Sequence, residues 1–137
     1  MAPTEVRVNV DGGARGNPGP AAIAAVVQDG NGEVVEERSE AIGTATNNVA
    51  EYRARLLGIE RAAALGARHL ELIGDSELIV RQVTGEYKVK DEALRELHRQ
   101  VREALDEFER WSIRHVRRDE NAEADRLVNE ELDKQSH

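Results

Sequence analysis

Cysteine is absent from this chain of 137 residues, which excludes a disulfide framework, a thiolate nucleophile and a cysteine-based zinc site. Aromatic residues make up only 3% of the chain, and we interpret Trp111, the only tryptophan, as a core residue rather than a base-stacking platform. No apolar run approaches the roughly 18 residues that span a membrane. The N-terminus also lacks the basic and apolar regions of a signal peptide. These absences predict a soluble, cytoplasmic protein.

The chain is acidic, with 27 acidic residues, 19 basic residues and a net charge of −8. Such a charge argues against strong non-specific binding of nucleic acid. Carboxylates that cluster around Mg²⁺ are an exception, because they recruit phosphate through the metal. The length fits one hydrophobic core, and we predict a single domain over residues 1–137.

The hydrophobic pattern changes from strand-like to helical near Asn47. Val6, Val8 and Val10 alternate with polar residues, whereas apolar residues after Asn47 repeat at helical spacing until Gly66. We predict strands over 6–10, 21–28, 33–41, 69–73 and 111–116, and helices over 47–65, 76–83, 94–108 and 121–132. The order β-β-β-α-β-α-α-β-α, with an antiparallel meander at its start, predicts an α/β fold whose mixed sheet carries helices on its faces.

The stretch from Asp11 to Pro20 places a carboxylate at the end of the first strand, beside a loop with almost no bulky side chains. Glycine lets the backbone approach a partner closely, and a carboxylate is a ligand for a divalent cation. The combination favours binding of a phosphodiester next to a metal ion. The alternative is a turn-forming aspartate in an Asp-Gly turn.

Three further carboxylates lie where the predicted elements begin or end. Glu51 is near the start of the first helix. It is either a metal ligand or a capping residue paired with Asn48. Asp75 follows the fourth strand, at the edge where open sheets bind ligands, and its alternative is a helix N-cap. Asp125 lies on an apolar seam of the last helix, where a charge is costly unless it is compensated. Four carboxylates from different elements fit a pair of Mg²⁺ ions about 4 Å apart.

The ordered motifs resemble those of the type 1 ribonuclease H family. In the family's order and at compatible spacings, the chain carries Asp11-Gly12-Gly13 with Gly16-Asn17-Pro18-Gly19, Thr46-Asn47-Asn48 with Glu51, Asp75-Ser76, and Asn121 with Ala124-Asp125. The compact form and the segment 48–53 are most similar to the short bacterial and archaeal branch. The resemblance implies a ribonuclease H-like fold, with a five-stranded mixed sheet in the order 3-2-1-4-5 and helices on both faces.

The same resemblance implies an endonuclease that hydrolyses the RNA strand of RNA–DNA hybrids and leaves 5′-phosphate and 3′-hydroxyl ends. It implies two Mg²⁺ ions, or Mn²⁺ in their place, and a two-metal-ion mechanism. Asp11 is expected to bridge both metals, and Asp125 to help hold the metal that activates the attacking water. Glu51 and Asp75 are expected to complete the shell of the other metal.

The resemblance also implies substrate contacts through the glycine-rich loop and the turn before the first helix. The residues concerned are Gly12, Gly13, Arg15, Asn17, Thr46 and Asn48. The loop can bring backbone groups to the 2′-hydroxyl, which alone distinguishes RNA from DNA at a given site. Structural alternatives stay open, namely a helix cap for Thr46 or Asn48 and a turn residue for Asn17.

His115 lies ten residues before Asp125, which is the spacing of the family's assisting histidine. In the family that histidine is on a flexible loop, whereas His115 here falls within a predicted strand. His115 is therefore a candidate catalytic residue, and Arg117 or Arg118 are alternatives for the same electrostatic role.

Two departures from the family predict weak, salt-sensitive binding of substrate. Glu77 stands where relatives often carry a substrate-contacting glutamine, and the basic protrusion of longer members is reduced to residues 87–90.

Two other functions stay open, namely another nuclease of the ribonuclease H-like fold and a non-catalytic hybrid-binding module. Other nucleases of this fold lack this combination of motifs, and a non-catalytic module would have lost a carboxylate. We expect a monomer that binds RNA–DNA hybrids and no membrane.

Overall fold

The computed structural model describes residues 4–135. The signal-peptide and single-domain predictions also include residues 1–3 and 136–137, which lie outside the described residues. Within the described part, five strands and four α-helices follow the predicted order. They are β1 (Glu5–Ala14), β2 (Gly19–Gln28), β3 (Val34–Ala45), α1 (Asn47–Ala64), β4 (His69–Gly74), α2 (Glu77–Val83), α3 (Glu92–Asp106), β5 (Arg110–His115) and α4 (Ala122–Gln135). A short 3-10 helix, Arg118–Asn121, leads into α4.

The sheet has the order β3-β2-β1-β4-β5, which confirms the prediction. Strands β1, β2 and β3 form the expected antiparallel meander. The β2–β3 turn is held by the Asp29 carboxylate, which accepts hydrogen bonds from the backbone N–H of Asn31 at 2.9 Å and of Glu33 at 3.0 Å. Strand β4 pairs in parallel with both β1 and β5. The mixed sheet therefore has parallel pairing only on the side where the chain crosses over through helices.

The first three strands extend further than predicted. Strand β1 continues to Ala14, so Asp11 lies within the strand, paired with Ala24, and not at its end beside a loop or in a turn. Strand β2 begins at Gly19, and β3 continues to Ala45, which pairs with Gly19. The register shifts between Ala21 and Ala22, opposite Gly43, whose φ of 78° is in the left-handed region. This irregularity interrupts the alternation of apolar and polar residues. A periodicity argument therefore ends the strand at Ala41, although the pairing continues.

Helices pack on both faces of the sheet. In β2, Ile23, Ala25 and Val27 face the large core that α1 and α3 cover, whereas Ala24 and Val26 face α4. Successive strand residues point to opposite faces, so an almost wholly apolar strand is buried on both sides. Among residues 4–135, no helix combines the length and the apolar character that crossing a membrane requires.

Candidate active site

Asp11 and Asp75 lie side by side because β1 and β4 are adjacent parallel strands. In this ladder Asn9 is the partner of Ile73, and each aspartate follows two residues later. The two carboxylates thus mark the point where the parallel pairing ends. In open α/β sheets, ligands bind outside the carboxyl ends of such strands.

Glu51 reaches the same point because the first turns of α1 pack directly on β1. A Cβ atom at Gly12 would lie only 2.3 Å from the carbonyl oxygen of Ala50, so a side chain at Gly12 would push the helix away. The backbone N–H of Gly12 donates to Glu51 Oε1 at 2.9 Å. As a result, carboxylate oxygens of Asp11, Glu51 and Asp75 all lie within 4.8 Å of one another.

The capping alternatives for Glu51 and Asp75 are wrong. The N-cap of α1 is Thr46, whose hydroxyl accepts from the backbone N–H of Val49 at 3.2 Å. The N-cap of α2 is Ser76, whose hydroxyl accepts from the backbone N–H of Ile79 at 3.4 Å. Because other side chains cap both helices, the two carboxylates are left for the cleft.

Asp125 lines the same cleft from α4 but lies outside the group of three. The cleft has a volume of about 610 Å³. Its lining comprises Asp11, Gly12, Gly13, Ala14, Arg15, Asn47, Asn48, Glu51, Asp75, Ser76, Arg118, Asp125, Val128, Asn129 and Leu132. Arg118 Nη2 donates to Asp125 Oδ1 at 3.2 Å, which compensates the charge that the sequence places on an apolar seam.

A buried asparagine fixes the start of α4 on β1. The Asn121 amide donates to the carbonyl oxygen of Val10 at 2.9 Å and accepts from Asn9 Nδ2 at 3.0 Å. Only 1% of Asn121 is exposed. Asn121 ends the 3-10 helix, and Asp125 lies four residues later in the first turn of α4. The pair of amides therefore sets the position of the fourth carboxylate relative to Asp11.

The crowding of carboxylates changes their protonation. Burial, together with the charges of Glu51 and Asp75, raises the pKa of Asp11 to about 9. Burial and the charge of Glu51 also raise the pKa of Asp75, against the opposing effect of Arg55 and Arg118. Without a cation, these carboxyl groups thus retain protons more strongly than free carboxyl groups do, which relieves their mutual repulsion.

The chemistry of these side chains fits a hard divalent cation. The three converging groups offer carboxylate oxygens, which Mg²⁺ and Mn²⁺ prefer, and the chain contains no thiolate ligand. Two of the three residues, Asp11 and Glu51, are almost fully buried, so their charges are poorly hydrated. An acidic metal-binding cluster accounts for both features.

Of the three basic candidates, Arg118 lies in the cleft. His115 ends β5 and lies 3.7 Å from Glu77 Oε2, and it is not among the described residues that line the cleft. Arg117 is exposed and pairs with Asp119 at 3.5 Å. Glu77 also pairs with Arg81 at 2.8 Å, so its carboxylate is partly neutralised outside the cleft.

Four of the six predicted substrate-contact residues line the cleft, namely Gly12, Gly13, Arg15 and Asn48. The other two make structural contacts near it. Thr46 caps α1, and Asn17 Oδ1 accepts from the backbone N–H of Asn47 at 3.0 Å. The cap alternative for Thr46 is thus observed, and Asn17 makes a structural contact to the start of α1 that the sequence did not predict. The substrate contacts of both residues stay a prediction.

The sequence analysis missed Arg55, which binds the carboxylate of Glu51 from inside the protein. Its Nη1 atom lies 3.0 Å from Glu51 Oε2. A signal was present, because a Glu and an Arg four residues apart face each other on a helix. That spacing alone does not distinguish a surface pair from a buried one.

Comparison with known proteins gives a family and several close relatives. The family described as "Reverse transcriptase-like" matches residues 9–131. The Ribonuclease HI of Halobacterium salinarum is 47% identical over 128 residues, which are 93% of this chain and 64% of that protein. The "Bifunctional protein Rv2228c" of Mycobacterium tuberculosis is 43% identical over 130 residues, which are 94% of this chain and 36% of that protein. This chain therefore spans less than two thirds of the length of both relatives.

Solved structures agree with the sequence matches. The RNase H1 of Halobacterium salinarum superposes with a TM-score of 0.93 and 46% identity, over 95% of this chain and 98% of that chain. LC11-RNase H1, which was isolated from compost, was crystallised in complex with an RNA/DNA hybrid. Its TM-score is 0.91 at 42% identity, over 96% of this chain and 99% of that chain. These matches confirm the resemblance that the motifs indicate.

We expect Asp11→Asn to stabilise the metal-free protein, increasingly so as the pH rises. The pKa of Asp11 is about 9 in the folded state against an ordinary value of 3.8, so between these values the folded protein keeps a proton that the unfolded chain releases. The stability of the parent therefore falls as the pH rises through this window. The neutral amide of the variant does not ionise and avoids this loss of stability. One pKa unit corresponds to about 1.4 kcal/mol, and we expect a gain of at least that size at neutral pH. Urea unfolding in EDTA measures it.

Added Mg²⁺ should make the parent more stable than Asp11→Asn, because a bound cation stabilises only the ionised carboxylate. A difference between Asp11→Asn and the parent that does not change with pH would contradict the assignment.

Proposed function

This chain belongs to the ribonuclease HI family, and we propose that it is an endonuclease that hydrolyses the RNA strand of RNA–DNA hybrids. The observation that carries the proposal is the convergence of Asp11, Glu51 and Asp75 within 4.8 Å at an open cleft. The similarity to LC11-RNase H1, crystallised with a hybrid, supports the same class of substrate. The proposed products carry 5′-phosphate and 3′-hydroxyl ends.

We assign two divalent cations to this cleft, either Mg²⁺ or Mn²⁺. Asp11, Glu51 and Asp75 would hold one cation, and Asp11 and Asp125 would hold the other. Asp11 is the shared ligand in this assignment because its carboxyl group interacts electrostatically with all three others. When bound, the cations supply activation of the attacking water and stabilisation of the leaving oxygen.

The remaining contribution of the protein is positioning and charge. Arg118 restrains Asp125 and presents a guanidinium at the mouth of the cleft, where it can bind a phosphate of the substrate. An arginine stays protonated in proteins, so its role here is electrostatic rather than that of a general acid. Of the candidates for that role, we favour Arg118 over His115, whose ring faces Glu77.

Discrimination of RNA from DNA is assigned to the glycine-rich strand end. Gly12 and Gly13 line the cleft without side chains, so the minor groove of a hybrid can approach the backbone closely. Asn48 adds a side-chain amide to the lining, and Arg15, which pairs with Asp133 at 2.6 Å, adds a guanidinium. Because the protein carries a net charge of −8, binding should be weak and should fall steeply with salt.

We assign residues 1–137 to one ribonuclease H domain, which the span of motifs from Asp11 to Asp125 supports. A monomeric state and a cytoplasmic location stay predictions.

We expect the purified chain to cleave an RNA–DNA hybrid in Mg²⁺, and to leave duplex DNA and duplex RNA intact. Asp75→Asn should abolish cleavage because it removes one carboxylate of the group of three. It should keep the fold, since Ser76 rather than Asp75 caps α2. The measurements are strand-specific cleavage on gels and the circular dichroism spectrum of the variant.

Each alternative function has its own outcome in that assay. Equal cleavage of duplex DNA would indicate another nuclease of the same fold. Hybrid binding without cleavage would indicate a non-catalytic module. Loss of the fold in Asp75→Asn would show that this carboxylate is structural.

We expect Arg118→Met to lower kcat by about tenfold to a hundredfold, because it removes a charge beside the reacting phosphate. Arg117→Met is the matched control, since Arg117 is the adjacent arginine and pairs only outside the cleft. His115→Ala should lower kcat less than Arg118→Met does. A larger loss in His115→Ala than in Arg118→Met would return the assisting role to the histidine. Hybrid cleavage under saturating Mg²⁺ measures all three.

A further inference from the structure

Arg55 is a fully buried cation directly behind the acidic cleft. It is 0% exposed and lies one turn after Glu51 in α1. Its Nη1 atom donates to the Glu51 carboxylate, Oε2, at 3.0 Å and to the Glu51 backbone oxygen at 3.0 Å. Since Gly12 binds the other carboxylate oxygen, Glu51 is held on both sides.

The rest of the guanidinium has no such partner. Within residues 4–135, neither Nε nor Nη2 of Arg55 forms a hydrogen bond, although both atoms are buried. An arginine stays charged in a protein, and a buried charge is costly unless opposite charge lies close to it. Ordinary core packing does not require an arginine at this position, so the nearby carboxylates are the reason that the charge is tolerated.

The backbone of β4 makes room for this group. A Cβ atom at Gly74 would lie 2.4 Å from Arg55 Nη2 and 3.1 Å from Arg55 Cζ. Gly74 immediately precedes Asp75, so the space left by the missing side chain places the guanidinium beside a second carboxylate of the cluster. The charge of Arg55 correspondingly opposes the rise in the pKa of Asp75.

We propose that Arg55 is a built-in counter-cation of the acidic cluster, which offsets the charges of Glu51 and Asp75 without a metal and thereby weakens the affinity of the site for divalent cations. The proposal rests on the proposed metal site. In this view Arg55 and the metal compensate the same charges. The metal-free fold is then more stable, and the bound metal exchanges more readily, than the carboxylates alone would allow.

Replacement by methionine separates this role from packing. Arg55→Met keeps an unbranched chain and removes the charge, whereas Arg55→Lys keeps a charge. Arg61→Met is the matched control, because Arg61 lies on the same helix and pairs with Glu36 at 2.8 Å, away from the cleft. Thermal unfolding in EDTA and in saturating Mg²⁺, and calorimetric titration with Mg²⁺ alone, measure the effects without a substrate.

We expect Arg55→Met to lower the melting temperature more in EDTA than in Mg²⁺, and to lower the Mg²⁺ dissociation constant on the order of tenfold. Arg55→Lys should restore most of both values. Arg61→Met should lower the melting temperature equally in both buffers. The proposal would be overturned if Arg55→Met lowered the melting temperature equally with and without Mg²⁺, or if it weakened Mg²⁺ binding.

A double variant guards against a simple failure to fold. The cost of Arg55→Met in EDTA should shrink when Glu51 is neutralised in Glu51→Gln, because the two charges are coupled. If Arg55→Met does not fold in EDTA, Glu51→Gln with Arg55→Met should fold. A double variant that fails equally would overturn the proposal.

The outcomes for Arg55 and for the proposed function are distinguishable. Absence of hybrid cleavage with the expected Mg²⁺ titrations would remove the proposed function and leave the role of Arg55. Hybrid cleavage by the parent, with a Mg²⁺ affinity that is unchanged in Arg55→Met, would support the proposed function and overturn the role of Arg55.

Discussion

Repulsion among three carboxylates held within 4.8 Å is the constraint on which the rest of this structure depends. Water cannot screen these charges well, because Asp11 and Glu51 are almost fully buried. The fold nevertheless brings them together through the parallel pairing of β1 with β4 and the packing of α1 on β1. Such an arrangement costs stability without a cation, and a functional site is the usual reason for such a cost.

The supports of the site are built into the same elements as its ligands. Gly12 lets α1 approach β1 and also binds Glu51 through its backbone, while Asn121 ties α4 to β1 and so positions Asp125. Asp11, Glu51 and Asp125 thus lie on strands and helices, and Asp75 lies directly after β4 in the short connection to α2. Such anchoring favours a fixed geometry for metal ions and the scissile phosphate. Arg118 lines the cleft from the short 3-10 helix that precedes α4.

Much of this arrangement could be predicted from the sequence, because the relevant signals are local or ordered along the chain. The strand order and the convergence of Asp11, Glu51 and Asp75 follow from motifs in sequence. The extension of β3 to Ala45 could not be predicted, since a register shift breaks the alternation on which strand assignment relies. The choice of Arg118 over His115 as the cleft residue, and the burial of Arg55, depend on tertiary packing that spacing does not encode.

We propose that the cluster of Asp11, Glu51 and Asp75 is a centre for divalent cations. Anomalous diffraction from crystals soaked in Mn²⁺ tests it most directly, because Mn²⁺ shares the oxygen ligands of Mg²⁺. We expect a strong anomalous peak within coordination distance of carboxylate oxygens of all three residues, and its loss in Asp11→Asn. Mn²⁺ bound only elsewhere on the protein, or no peak at the three carboxylates at saturating metal, would contradict the claim.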